Sequence, residues 1–498
     1  MTRPINLYVQ SRIREEEPFR TVEQHKSQRE KRSRIQHHEI DSVKRFTDGL
    51  IRHGVSLCEL DGFFYGFHIP RIGKEFDLLK FSETACVNIE LKSEQVPEEQ
   101  IRAQLLKNRH YLSHLGKRLF LFTVVTDTLT CYRLSLNDTV EKIGFEEIVS
   151  CVRKFGGTYI EAIDELFRAS QYLISPLTTP DKFIQGEYFL TQAQDRIKET
   201  LLTEIGKASA SACFHLTGDP GTGKTLLLYD VAKTLSANGK TAILHCGAVS
   251  PGQERIHRSL EHLDIISVSD TAKESFSFAA YPFLLVDETH RIEPELFQRI
   301  CRAVDENGLI CVFCSDPEQI LSTKERENDI IGKIRALPLK GEYILSEKIR
   351  ANKELSAFIR GLKNRNHKPK EVMRYSGVSL NYADTTKEAQ ELLGYYRNKG
   401  YVFINYTQPL YRENPYAIYE EDFDTHHVIG REFDKVVMVL DSAFYYDEHG
   451  VLQGVPLPDP DYLYPNLFYQ GVTRVREQLS LIVVRAPELF TQIVSLLE

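Results

Sequence analysis

Apolar positions along the chain follow two different periods. Over residues 41–53, DSVKRFTDGLIRH, they recur at helical spacing and predict an amphipathic helix. Residues 75–81 and 86–92 are short apolar runs around a polar SETA turn, which predicts two paired strands. Residues 97–115 predict another helix, and 119–126 a buried strand. Past residue 183 the rhythm becomes regular. The runs CFHLTG, TAILHCG, FLLVDE, LICVFCS, YVFINY, KVVMVLD and LSLIVV alternate with helical patterns. That alternation predicts α/β layers on parallel sheets. Between the two regimes, residues 173–183, LISPLTTPDKF, have the Ser, Pro and Thr content of a linker.

Composition narrows the class. A chain of 498 residues is too long for one core, and its length predicts about two to four domains. The hydrophobic fraction of 42% and charged fraction of 27% are those of an ordinary globular protein. No stretch approaches the roughly 18 consecutive apolar residues of a membrane span, so a cytoplasmic location without membrane attachment is expected. The nine cysteines are scattered. Cys311 and Cys314 form the one close pair and read as buried core residues, not as ligands. The net charge of −8 does not advertise nucleic-acid binding. A polymer partner would be held by local basic patches; KSQREKRSR at Lys26 to Arg34 and GLKNRNHKPK at residues 361–370 are candidates, each with a solvated surface as the rival reading.

Two constellations carry chemistry. GDPGTGKT, Gly218 to Thr225, fits G-x-x-x-x-G-K-T between an apolar strand and a helical pattern. Gly218, Gly221 and Gly223 let backbone N–H groups wrap phosphates, and the helix N-terminus adds its positive end. Lys224 is expected at the β/γ-phosphates of ATP, and the Thr225 hydroxyl on Mg²⁺. In FLLVDETH, Phe283 to His290, a strand ends in two acids. Asp287 is expected in the Mg²⁺ shell and Glu288 on the attacking water.

The second constellation lies in the predicted hairpin. Glu75 and Asp77 share one face of its first strand, Glu90 and Lys92 one face of its second. Two carboxylates at adjoining strand ends suit Mg²⁺-assisted attack on a phosphodiester, with Lys92 assisting. The rival reading is a solvated hairpin face, where Asp, Glu and Lys are ordinary.

These motifs carry two resemblances. From roughly residue 188 to 486 the chain resembles a superfamily 1 helicase core of the UvrD/Rep type. LTQAQ, Leu190 to Gln194, is similar to the glutamine motif and implies Gln194 at the adenine base. SDPEQ implies Asp316 and Gln319 as sensors of the γ-phosphate. SEKIRAN, Ser346 to Asn352, implies Arg350 on the phosphates. THHVIGREFDKVV implies Gly430 and Glu432 near the nucleotide, with Thr425 and His426 near a nucleic-acid strand. YQGVTRVREQL implies Arg474 as an arginine finger. The intervals His245 to Asp287 and Arg350 to Thr425 are too short for the large inserted subdomains of that family, and the chain has no Trp. This compactness is closer to the helicase-like domain of Schlafen-type proteins. Upstream, D-x12-E-x-K from Asp77 to Lys92 resembles the PD-(D/E)XK nuclease signature, over about residues 35–130. It implies Gln104 and Tyr111 from the following helix, and a further acid, Glu39 or Asp41, from the preceding one.

The expected fold class is α/β. A restriction-endonuclease-like nuclease domain spans 1–175, followed by RecA-like P-loop domains at 176–342 and 343–498. The expected function is that of an ATP-dependent nuclease-helicase. Mg²⁺-dependent cleavage in the first domain would be driven or gated by ATP hydrolysis in the other two. The substrate is nucleic acid, DNA favoured over RNA, and the architecture suggests defence against foreign phage DNA. Two rivals stand beside it: a nucleotide-gated RNase, and an ATPase that remodels nucleic acid without cutting.

Overall fold

A computed structural model describes residues 3–27, 37–69, 72, 74–156, 163–167, 174–208, 211–247, 249–273, 276–346, 353–367, 369, 373–409, 412–458 and 460–497. The basic run from Lys26 to Arg34 lies outside these beyond Ser27. The chain divides into two units, Met1–Tyr172 and Leu173–Glu498.

The first unit is built on a six-stranded sheet whose spatial order follows the chain: β1 (Phe63–His68), β2 (Glu75–Phe81), β3 (Ala85–Lys92), β4 (Arg118–Val125), β5 (Thr130–Leu134) and β6 (Val140–Ile143). The predicted hairpin is β2–β3, closed by the Ser82 N–H on the Ala85 carbonyl at 2.9 Å. Between β3 and β4 runs the helix Glu98–Ser113, so these two strands are parallel while their neighbours pair antiparallel. The helix His37–Arg52 buries Ile40, Val43, Phe46 and Leu50, three or four residues apart. Lys80 is fully buried, yet it is not left without partners. Its ammonium donates to the Glu59 carbonyl at 2.8 Å and to the Gly156 carbonyl, tying down the end of the helix Phe145–Phe155.

The second unit holds two parallel sheets. One comprises β7 (Ala212–Gly218), β8 (Thr241–His245), β9 (Leu263–Ser267), β10 (Phe283–Asp287), β11 (Ile310–Ser315) and β12 (Gly341–Leu345), in the order β12-β7-β11-β10-β8-β9. The other comprises β13 (Val378–Ala383), β14 (Val402–Asn405), β15 (Phe423–Asp424), β16 (Phe433–Asp441) and β19 (Val475–Val484), in the order β13-β19-β16-β14-β15. A small hairpin, β17 (Phe444–Tyr446) and β18 (Leu452–Gly454), stands apart. Central strands are buried on both faces, which is why they read as unbroken apolar runs. Cys311 and Cys314 lie buried on β11 as free thiols. Among the described residues no helix is long and apolar enough to cross a membrane.

The first part of the segment expected to be a linker, residues 174–177, is buried. Ile174, Ser175 and Leu177 are each at most 5% exposed. Ser175 Oγ donates to the Gly430 carbonyl at 3.2 Å, on the second sheet's side of the unit. A Cβ at Gly252, on the first sheet's side, would meet the Leu177 carbonyl oxygen at 2.1 Å. Ser175 and Leu177 pin this strap to both lobes of the unit, one built on each sheet. In the acidic run YEEDFD at residues 419–424, Asp422 accepts the Phe403 N–H at 2.8 Å, which anchors edge strand β15 beside β14.

Candidate functional site

The carboxyl ends of the first lobe's strands lay out one site, as parallel sheets do. Lys224 follows β7, Asp316 follows β11, Asp287 ends β10 and His245 ends β8. Gly223, at φ +79°, turns the chain into the helix Lys224–Ser236 in a conformation only glycine adopts freely. The buried Lys224 ammonium donates to the carbonyls of Gly218 (2.8 Å) and Asp219 (2.9 Å) and to Asp316 Oδ2 (2.9 Å). Thr225 is half-buried on the helix's first turn. Asp287 Oδ1 accepts the Glu288 N–H at 3.1 Å. Its buried Oδ2 accepts no hydrogen bond from the described residues and lies 3.6 Å from His245 Nδ1. An orphaned carboxylate oxygen there suits the shell of a Mg²⁺ ion. Gln194, expected at the adenine base, is instead fully buried with both ends engaged. Oε1 accepts the Thr191 N–H at 2.8 Å, while Nε2 donates to the carbonyls of Thr222 (3.1 Å) and Gly223 (3.2 Å). It braces the P-loop from behind.

Two residues that the motif alone does not single out, His290 and Arg291, fix Glu288. Its backbone sits at φ +56°, uncommon for a non-glycine. Burial would raise its carboxyl, but His290, Arg291 and Lys224 outweigh that and hold it at about 2. Arg291 donates to Glu288 Oε2, Glu325 Oε1 and the Gln319 carbonyl, each at 3.2 Å. His290 Nδ1 accepts the Asp316 N–H at 3.2 Å, so Nε2 carries the proton, 3.4 Å from Glu288 Oε2. Burial, then the Arg291 charge, lower the His290 pKa, and the Glu288 carboxylate opposes them. The run D-E-T-H-R was the available signal. Gln319 Nε2 donates to Asp316 Oδ2 at 2.7 Å, so the two expected phosphate sensors are joined to each other and to Lys224.

In the second lobe, Arg350 lies outside the described residues. Arg474 is buried, its guanidinium donating to the Gln470 carbonyl (3.2 Å) and Gln470 Oε1 (3.3 Å). Glu432 is buried, and Gly430 sits at φ +73° under the strap. Thr425 Oγ1 lies 2.8 Å from Thr407 Oγ1. The lobes are stitched by the Leu463 N–H on the Leu321 carbonyl (2.8 Å), the Thr323 N–H on the Asp461 carbonyl (3.2 Å) and Asn466 Nδ2 on the Ile320 carbonyl (2.7 Å). This seam leads directly into the helix Tyr464–Val472 and Arg474.

His426 packs its ring 5.1 Å from that of Tyr462 at this seam. Burial first, then the Arg291 charge, lower its pKa to about 4 from the ordinary 6.5. The unfolded chain binds the proton that the folded one refuses, so stability is lost as pH falls through that window. Thermal melts from about pH 7.5 to 5 are expected to show a falling Tm whose slope is shallower in His426→Gln. Equal slopes would contradict this.

The first unit assembles the hairpin site. Backbone pairing of β2 and β3 runs to Leu78↔Ile89. One residue further, a side chain replaces the ladder: Asp77 Oδ2 accepts the Leu91 N–H at 2.8 Å. Glu90 is 2% exposed. Its Oε1 accepts from Asn88 Nδ2 (3.1 Å) and Asn108 Nδ2 (2.8 Å), its Oε2 from Gln104 Nε2 (3.2 Å). This is no solvated hairpin face. Burial and the Glu90 charge push the Asp77 carboxyl up to about 8. Two carboxylates in mutual repulsion are a donor set that suits a divalent cation. Lys92 is half-buried, and its charge favours the ionised Asp77. Tyr111 is buried with its ring 5.4 Å from that of His110. Asn108, one turn beyond Gln104, supplies the second helix-borne amide. Gln and Asn at i and i+4 was the signal for it. Glu39 and Asp41 are both exposed, with Asp41 3.9 Å from His37. Among the described residues no three His, Cys, Asp or Glu side chains gather as a metal cluster.

Residues 211–402 match the family described as Schlafen group 3, DNA/RNA helicase domain, a span shorter than half the chain. No curated protein matches the sequence. Among solved structures, the arterivirus nonstructural protein 10 helicase is similar at 14% identity and a TM-score of 0.33, over 60% of this chain and 64% of its own. The Bacteroides Pif1 helicase, in a complex with ADP-AlF3 and ssDNA, is similar at 12% identity and a TM-score of 0.31, over 59% and 92%. The flagellar accessory protein FlaH from Methanocaldococcus jannaschii is similar at 16% identity and a TM-score of 0.21, over 28% and 73%. Residues 211–402 thus carry a helicase-like sequence, within a unit built on parallel α/β sheets.

Proposed function

We propose that this chain is a nucleic-acid-cutting enzyme driven or gated by ATP, with DNA preferred to RNA. The observation that carries the nuclease half is Glu90. A carboxylate 2% exposed and held by three amides has been positioned at a cost in desolvation that a surface strand has no use for. Asp77 and Glu90 would hold Mg²⁺, which when bound supplies Lewis-acid polarisation of the scissile phosphate. Asn88, Asn108 and Gln104 fix both Glu90 oxygens, and the Leu91 N–H orients Asp77. Lys92 would bring positive charge to the negative charge that develops on the phosphate oxygens.

The second unit takes ATP as substrate. Lys224 would exchange Asp316 for the β/γ-phosphates, Thr225 and Asp287 would hold the nucleotide's Mg²⁺, and Glu288 would orient the attacking water. His290 and Arg291 keep Glu288 ionised and in place. Arg474 approaches from the other lobe, so lobe closure and hydrolysis become one event. The strap at 174–179 touches both lobes and follows the first unit directly in sequence, which gives closure a covalent route toward the nuclease.

The test is cleavage of single-stranded DNA, duplex DNA and RNA by the full chain with Mg²⁺, with and without ATP. DNA cleavage that responds to ATP is expected. RNA cleavage alone would favour the nucleotide-gated RNase. Intact ATP hydrolysis with no cleavage of any polymer would overturn the nuclease reading and leave a remodelling ATPase.

A further inference from the structure

The basic run at 361–370 has no role in the chemistry above, yet one of its residues enters the nucleotide site. Lys363 ends the helix Lys353–Lys363 in the second lobe. Its ammonium does not simply face water. It pairs with Glu318 Oε2, on the first-lobe loop that follows β11. It also lies 4.9 Å from the centre of the Tyr469 ring, in the stretch that leads to Arg474. Burial lowers the Lys363 pKa, and the charges opposing this are Asp219 of the P-loop and Asp316. Asp316 Oδ2 is the oxygen that holds Lys224 Nζ at 2.9 Å, and Asp316 Oδ1 accepts the Glu318 N–H at 2.9 Å. Two ammonium groups, one from each lobe, therefore converge on neighbouring acids beside the P-loop.

We infer that Lys363 is a γ-phosphate contact delivered by the second lobe, exchanging Glu318 for the terminal phosphate when ATP binds. This rests on reading the second unit as an ATPase. The γ-phosphate oxygens carry more charge than one carboxylate and compete for an ammonium already at the edge of the site. A diphosphate ends before those oxygens and gives Lys363 nothing to exchange for Glu318. The pair thus distinguishes ATP from ADP and passes that difference to the helix Lys353–Lys363. A ligand shifts a conformational equilibrium only through such a differential contact.

The test is calorimetric binding of AMPPNP and ADP, each with Mg²⁺, to the full chain and to Lys363→Met and Lys363→Arg. Lys363→Met is expected to weaken AMPPNP about tenfold or more while ADP affinity stays within about twofold. Lys363→Arg is expected to keep most of the AMPPNP affinity. Retained ADP binding shows that the variant is folded. Equal weakening for both nucleotides, or unchanged AMPPNP affinity, would overturn the inference. A wild-type chain that binds neither nucleotide would overturn the ATPase reading instead.

Discussion

Lys224→Ala is expected to lower the kcat for ATP hydrolysis by about 10²-fold or more, the scale on which removing one preorganised charge contact acts. The same change has a second consequence. Lys224 holds two carbonyls and the fully buried Asp316. Removing one partner of a buried pair strands the other charge and costs about 3–5 kcal/mol. Tm should therefore fall along with activity. Adding Asp316→Asn should restore much of the Tm, because no charge is then left alone, but none of the hydrolysis. Phosphate release and thermal melts on the two variants check this. A double variant that regains activity would show that Lys224 acts through the fold and not on phosphate.

Glu90→Gln is expected to lower polymer cleavage by about 10²-fold or more while ATP hydrolysis without nucleic acid stays within about twofold. Gln is the better probe than Ala. It keeps an oxygen for one or two of the amides on Asn88, Asn108 and Gln104, whereas Ala orphans all three at about 1–3 kcal/mol per buried group. A Glu90→Gln chain that cuts as fast as wild type would mean that the hairpin serves the fold alone.

Much of this was legible in the sequence, for a physical reason. The seven apolar runs of the second unit all form strands, and those in the middle of its sheets need apolar residues on both faces. The unread strands β9, β12, β13 and β15 are the four edges of the same two sheets. An edge is half-solvated, so its run is broken by polar residues, as in GEYIL and VSLNYA. The P-loop and the hairpin acids were equally legible, since spacing fixes which face each side chain occupies. What spacing does not report is a partner distant along the chain. Arg291 on Glu325, Ser175 on Gly430 and Lys363 on Glu318 join residues 34, 255 and 45 positions apart. Gln194 shows the opposite error. Its motif implies an adenine base as partner, while its hydrogen bonds turn it toward the P-loop carbonyls.

The claim that one chain joins a cutter to an ATP-driven switch is tested most directly by DNA cleavage rates with Mg²⁺, with and without ATP, in wild type, Lys224→Ala and Glu90→Gln side by side. The expected result is cleavage that responds to ATP in wild type, cleavage indifferent to ATP in Lys224→Ala, and no cleavage in Glu90→Gln, whose ATPase persists. Cleavage by Glu90→Gln at the wild-type rate, or a nuclease equally responsive to ATP without Lys224, would contradict it.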